Sequence, residues 1–205
     1  MLIAILFHLG IIAESMSGAL AAGRHRMDLF GVFFISFATA LGGGSIRDVL
    51  FDHHPLLWVN SPHYVLVVLI SSLVATRIAC FIDRLERFFL TLDALGLAVF
   101  STIGAKIVIG MGYDLTSAVI GAVVTGSFGG ILRDLFCNSM PLIFRKELYA
   151  LVAMLCGIFY WFLYPYLGEE IATLLTIGIG FAIRMIAIKY KISLPVFAFE
   201  KNEKK

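Results

Sequence analysis

Apolar residues fall along this chain in seven blocks of about 18 residues or more, with short polar stretches between them. The blocks run over about 2–22, 29–49, 64–82, 88–110, 115–132, 148–167 and 171–188. Runs of that length predict membrane-crossing helices, since about 20 residues at about 1.5 Å each span a hydrocarbon core of about 30 Å. Little is left for a water-soluble domain. Only the stretch after Lys189 reads as peripheral, and its charged end, Glu200 to Lys205, is predicted to be disordered. The first block is read as a span and not as a cleaved leader: no basic segment precedes it, and it carries Glu14.

The polar punctuation inside these blocks repeats at an offset of 86 residues without a gap. Leu9-Gly10 recurs as Leu95-Gly96, Gly18-Ala19 as Gly104-Ala105, and Asp28-Leu29 as Asp114-Leu115. Gly43-Gly44 recurs as Gly129-Gly130, Arg47-Asp48 as Arg133-Asp134, and Pro55-Leu56 as Pro141-Leu142. Matches at glycine, proline and charged positions cannot come from shared hydrophobicity. The chain therefore reads as a first three-helix repeat over 1–86, a second over 87–168, a seventh helix over 169–190 and a tail over 191–205.

Composition agrees with a membrane protein. Hydrophobic residues make up 60% and charged residues 15%, against roughly 45–50% and about 25% in soluble domains. Of the 16 basic residues, 14 fall on alternate loops, their flanks and the C-terminal region, while only Arg47 and Lys106 fall on the opposite side. The positive-inside rule makes the richer side cytoplasmic, with the N-terminus outside and the C-terminus inside. Each repeat has an odd number of spans, so the second runs upside down relative to the first. The predicted fold is an all-α integral membrane protein with seven transmembrane helices, an inverted 3+3 repeat plus one C-terminal helix.

Candidate chemistry lies at the ends of the second and fifth spans. The second closes on Gly42-Gly43-Gly44-Ser45-Ile46-Arg47-Asp48, the fifth on Ser127-Phe128-Gly129-Gly130-Ile131-Leu132-Arg133-Asp134. Glycine costs about 1 kcal/mol in a helix relative to alanine, and an opened helix inside a bilayer needs protein or water to cover it. One reading is therefore two kinked or broken helices lining an aqueous path. The other is close helix packing through small residues.

Adjacent Arg and Asp do not face each other on a helix, so Arg47, Asp48, Arg133 and Asp134 are expected to find other partners. They serve either as gate or pore-mouth charges or as structural pairs and snorkelling side chains. By depth, Arg133 can meet Asp93, whereas Asp93's counterpart in the first repeat is the uncharged Phe7, which leaves Arg47 freer. Glu14 is mid-span and Asp93 lies near the start of its span. Intramembrane carboxylates mark ion or proton paths, although Asp93 also suits an interfacial helix start. Lys106 suits either snorkelling or pore lining.

Other chemistries are not supported. His53, His54 and His63 share a loop without a cysteine, and Cys80, Cys137 and Cys156 lack metal-ligand spacing. No metal or cofactor is expected. No nucleophile–base–orienter set argues for an enzyme, and no basic-aromatic cluster argues for nucleic acid.

The doubled Gly-Gly-x-x-Arg-Asp ending, two three-helix repeats and a seventh helix resemble the bacterial branch of the trimeric intracellular cation (TRIC) channel family. Its bacterial sequences are also labelled glycine-transporter-like. The resemblance covers about residues 1–190. It implies a homotrimer in a bacterial inner membrane, with membrane lipids around it and one potassium-permeable pore per subunit. Potassium is the expected ion and sodium a second candidate. It implies also that kinks at Gly42, Gly43, Gly44, Gly129 and Gly130 shape the pore, and it sets Lys106 against a basic residue in the fourth helix of animal members. Ser127-Phe128 replaces Leu41-Gly42 in the second copy, so the two kinks should differ in shape. The residues themselves leave two functions open: a monovalent cation channel, or a secondary transporter of a small solute such as glycine.

Overall fold

The computed structural model describes residues 2–81, 85–145 and 148–192, with the side chains of Leu2, Cys80 and Arg145 excepted. Eight α-helices and one 3₁₀ turn make up the described residues. They are α1 (Leu2–Arg24), α2 (Leu29–Leu50), α3 (Leu57–Asn60), α4 (His63–Ile78), α5 (Leu85–Gly110), α6 (Leu115–Phe136), α7 (Leu142–Arg145) and α8 (Tyr149–Tyr190). Helices α1, α2, α5, α6 and α8 are long and apolar enough to cross a membrane. The protein is a multi-pass, all-α membrane protein. Large apolar side chains such as Leu66, Ile70, Val74, Ile171, Leu174 and Leu175 remain exposed on α4 and α8, as a lipid-facing surface requires. Apart from its first two residues, the predicted tail over 191–205 lies outside the described residues.

Four elements differ from the sequence expectation. Helix α4 has 16 residues and is continued by the 3₁₀ turn Ala79–Phe81, so the third block yields a shorter α-helix than its apolar run. Two four-residue helices, α3 and α7, follow α2 and α6. The sixth and seventh blocks are not separated by a loop. They are limbs of α8, over 149–167 and 169–190, joined at Gly168 with φ 73° and ψ 174°. That backbone conformation belongs almost solely to glycine, so one residue performs the change of direction.

The 86-residue repeat extends to backbone detail. Asp28 and Asp114 cap α2 and α6, each carboxylate accepting from the backbone N–H three residues on, Gly31 at 2.7 Å and Ser117 at 3.0 Å. The Ser117 hydrogen bonds hold the Asp114 carboxyl below the usual carboxylate range. At the other ends, Phe51 N–H donates to Arg47 C=O and Cys137 N–H to Arg133 C=O. His53 N–H donates to Asp48 C=O and Ser139 N–H to Asp134 C=O, both at 2.8 Å. Asp52 and Asn138, 86 apart, both take a positive φ. Equivalent sequences thus fold equivalently at every cap.

The repeats meet through α2 and α6. A Cβ added at Gly43 would strike the Thr125 carbonyl, and one added at Gly129 would strike the Thr39 carbonyl. The contact is reciprocal, as a two-fold relation demands. The α6 partner falls from 129 to 125 as the α2 position rises from 39 to 43, so the helices cross antiparallel. Their C-terminal Arg-Asp pairs therefore point to opposite ends of the bundle. Helix α5 runs through the middle, with 72% of its span buried.

Candidate functional site

At the Arg47 end, α1, α2, α3, α4 and α5 surround a cavity of about 270 Å³. Gly44, Ser45, Arg47 and Lys106 line it beside Trp58, and Thr125 from the α2–α6 crossing closes its floor. The remaining walls are mainly apolar, with Phe7, Tyr64 and Phe100 among them. Ser45 Oγ donates to Leu41 C=O at 2.8 Å and accepts from Trp58 Nε1 at 3.1 Å. Each basic group here has a carboxylate. Arg47 donates through Nε (3.0 Å) and Nη2 (2.6 Å) to Asp48 Oδ1. Lys106 Nζ lies 2.8 Å from Glu169 Oε1, the first residue past the Gly168 break. His53 Nδ1 lies 3.0 Å from the same Asp48 oxygen.

The Arg133 end is filled instead. Arg133 is fully buried and donates through Nη1 to Asp93 Oδ1 (2.7 Å) and Ser17 Oγ (2.8 Å), and through Nε to Asp134 Oδ1 (2.8 Å). Its guanidinium lies over the Phe89 ring, 4.7 Å from the centroid. Asp134 Oδ2 accepts from Leu142 N–H on α7 at 2.9 Å, and Tyr149 O–H donates weakly to Asp93 Oδ1 at 3.4 Å. Arg184, on the second limb of α8, is fully buried within 4.0 Å of Asp93 Oδ2. Among the described residues, no three His, Cys, Asp or Glu side chains gather to hold a metal ion.

Two expectations are corrected. The glycine runs do not break their helices: α2 and α6 are continuous helix across Gly42–Gly44 and Gly129–Gly130. The missing side chains at Gly43 and Gly129 let two backbones touch, and that contact offsets the helix cost of glycine. Gly42 packs on Leu132, and Gly130 lies beside Tyr149. Gly44 and Ser45 alone of these residues face the cavity, while the Ser127 hydroxyl is buried without a hydrogen-bond partner among the described residues.

The Arg-Asp neighbours do pair with each other, contrary to the helix-surface rule. The long arginine side chain folds back along its own helix end, where burial leaves no water to compete. The Arg133–Asp93 meeting expected from depth is present. Lys106 both lines the cavity and pairs with Glu169. Sequence reasoning missed Ser17, Tyr149 and Trp58. It also counted Arg184 as a flanking basic residue. The available signal was position: Arg184 lies 16 residues past Gly168, still inside an apolar run.

A family model described as Glycine transporter matches the chain twice, over residues 4–79 and 90–165, at the same 86-residue offset. The UPF0126 inner membrane protein YadS of Escherichia coli K12 is 37% identical over 94% of this chain and 95% of its own length. The solved TRIC trimeric intracellular cation channel orthologue from Rhodobacter sphaeroides is 34% identical, covering 92% of this chain and 95% of that one, with a TM-score of 0.82. A prokaryotic TRIC channel solved in 0.5 M KCl is 30% identical over 92% of this chain and 96% of that one, with a TM-score of 0.87. With both repeats matched and full-length relatives above 30% identity, this chain belongs to the prokaryotic TRIC family, which the glycine-transporter model also describes.

Proposed function

We propose that the protein is a monovalent cation channel, potassium-permeable, with one conduction path in each subunit of a homotrimer in a bacterial inner membrane. The observation that carries the proposal is the cavity at the Arg47 end, which reaches from the bundle surface to the α2–α6 crossing at Thr125. Its two basic residues are each neutralised by a carboxylate, Asp48 and Glu169, so a cation entering meets no unbalanced positive charge. Relatives solved as TRIC cation channels support the reading. Seven spans fit it, with α4 and the two limbs of α8 completing an inverted 3+3 repeat plus one helix, N-terminus outside and C-terminus in the cytoplasm. Gly44, Ser45, Arg47 and Lys106 then line the outer vestibule, and Arg133, Asp93 and Asp134 form the cytoplasmic constriction. Gly43 and Gly129 set the helix spacing between them.

One observation favours a second reading, a secondary transporter of a small solute such as glycine. The bundle is open at one end and filled by an ion-pair network at the other, as alternating access requires. Reconstitution into planar bilayers with symmetric potassium separates the two. Unitary current steps mark the channel. Solute-driven uptake without such steps marks the transporter.

A further inference from the structure

Among the described residues, the buried cluster at the Arg133 end holds one acid more than its buried guanidinium groups balance. Glu14, on α1, is 2% exposed, and neither of its carboxyl oxygens has a hydrogen-bond partner among the described residues. The carboxyl rests on the bare backbone of Gly96, where a Cβ would collide with it. The groups facing it from the surrounding elements are Asp93 on α5, Arg133 and Asp134 on α6, and Tyr149 on α8. Arg184 completes the set, stacked over the Tyr149 ring and within 4.0 Å of Asp93. Among the described residues, three carboxyls thus face two buried guanidinium groups; Arg24, over the same Phe89 ring as Arg133, is exposed to solvent. The hydrogen bonds of Arg133 go to Asp93, Asp134 and Ser17, none to Glu14.

An unbalanced charge inside a helix bundle is costly, and a bound proton or cation removes it. Among the described residues no metal-ligating set surrounds Glu14, and its carboxyl is packed against helix backbone. A proton is the species for which there is room.

The repeat supplies an independent observation. A shift of 86 carries Phe7 onto Asp93 and Glu14 onto Phe100. Phe7 and Phe100 are in ring contact at the other end of the bundle, centroids 5.8 Å apart. One α1–α5 crossing therefore bears an aromatic pair at one end and an acid pair at the other. The aromatic pair carries no charge and packs on Tyr64, whose ring lies 5.1 Å from that of Phe7. The acid pair, set beside Arg133 and Arg184 with Asp134 as the third carboxyl, needs one proton.

We propose that Glu14 and Asp93 form a proton-binding acid pair, the proton carried by Glu14, and that its release loosens the seal at the Arg133 end to cations. On release the O–H bond of Glu14 breaks, the proton passes to water, and the electron pair stays on the carboxylate. The cluster then goes from balanced to one net negative charge, which repels Asp93 and attracts a mobile cation. Low pH keeps the end sealed and high pH favours passage. The proton site stands on the charge count and the packing. Only its effect on passage rests on the channel reading.

The test is infrared spectroscopy of the full chain in lipid vesicles at neutral pH, in H₂O and D₂O, followed by single-channel recording across pH. The expected spectrum contains the C=O stretch of a carboxylic acid, lost in Glu14→Gln and retained in Asp28→Asn. Absence of that band, its survival in Glu14→Gln, or its loss on adding potassium at constant pH would overturn the proton site. Currents of the native chain should rise with pH while those of Glu14→Gln stay flat. A Glu14→Gln channel with the native pH response would overturn the effect on passage. A chain that conducts at no pH contradicts the channel reading, and the spectrum still decides the proton site.

Discussion

Arg47 and Arg133 occupy equivalent places in the two repeats and meet different surroundings. Arg133 satisfies two buried carboxylates and one hydroxyl. Its removal takes the guanidinium from Asp134 and the nearer of two from Asp93, and breaking a buried ion network in this way costs about 3–5 kcal/mol. Arg133→Ala should therefore lower thermal stability severely. Arg47→Ala should cost less, because Asp48 keeps His53 and Arg47 itself borders the cavity. Its main effect should be on conduction, and thermal melts beside single-channel records of both variants check the contrast. Equal destabilisation by the two would contradict the asymmetry.

The glycines offer a second contrast. Gly43→Ala and Gly129→Ala each drive a methyl into a backbone carbonyl of the other repeat, and overpacking of this kind costs about 1–3 kcal/mol. Gly44→Ala meets only the Arg47 guanidinium, at an ordinary 3.8 Å, and should melt no lower than the native protein, since alanine is the better helix former. The glycine runs were visible in the sequence, but their role was not. A glycine that opens a helix and one that admits a neighbouring backbone leave the same letter in an apolar run. Only the facing carbonyls of Thr39 and Thr125 distinguish them.

Among the elements, α8 departs most from a sequence reading. Two apolar blocks predicted two spans, and hydropathy alone could not show that Gly168 is the whole connection. Replacing it by alanine puts a side chain at φ 73° and ψ 174°, a conformation that costs about 1–3 kcal/mol. The limb over 169–190 should then reorient and withdraw Glu169 from Lys106. A double-mutant cycle of Lys106→Met with Glu169→Gln measures that link in the native chain and in Gly168→Ala. The coupling should be at most about 1 kcal/mol in the native chain, as for a partly exposed pair, and absent in the variant. Asp28 and Asp114 were legible as a repeat pair ahead of apolar runs, but their capping role emerged only with the structure. The ion network was legible only in part: depth counting joins Arg133 to Asp93, but nothing local in the sequence brings Ser17, Tyr149 or Arg184 to the same place.

At the scale of the molecule, the repeat accounts for most of the architecture. Two copies with matching caps, crossing reciprocally through glycine, give a bundle whose ends are related yet not alike. Aromatic residues and a cavity occupy one end, acids and arginines the other. An odd number of spans per copy would set these ends on opposite sides of the membrane. Single cysteines at Arg24 and Glu169, both at exposed positions, should then react with impermeant reagents from opposite faces, the Arg24 position from the cytoplasm. Labelling from one face would contradict the inverted repeat.

The central claim is that cations pass through each subunit by way of the cavity beside α2 and α6. Its most direct test is a planar-bilayer recording in symmetric potassium of the native chain and of Ser45→Trp, which fills the cavity from its wall. Discrete unitary currents in the native chain, lost or sharply reduced in a folded Ser45→Trp protein, are the result expected. Native protein without unitary currents, or Ser45→Trp channels of native conductance, would contradict it.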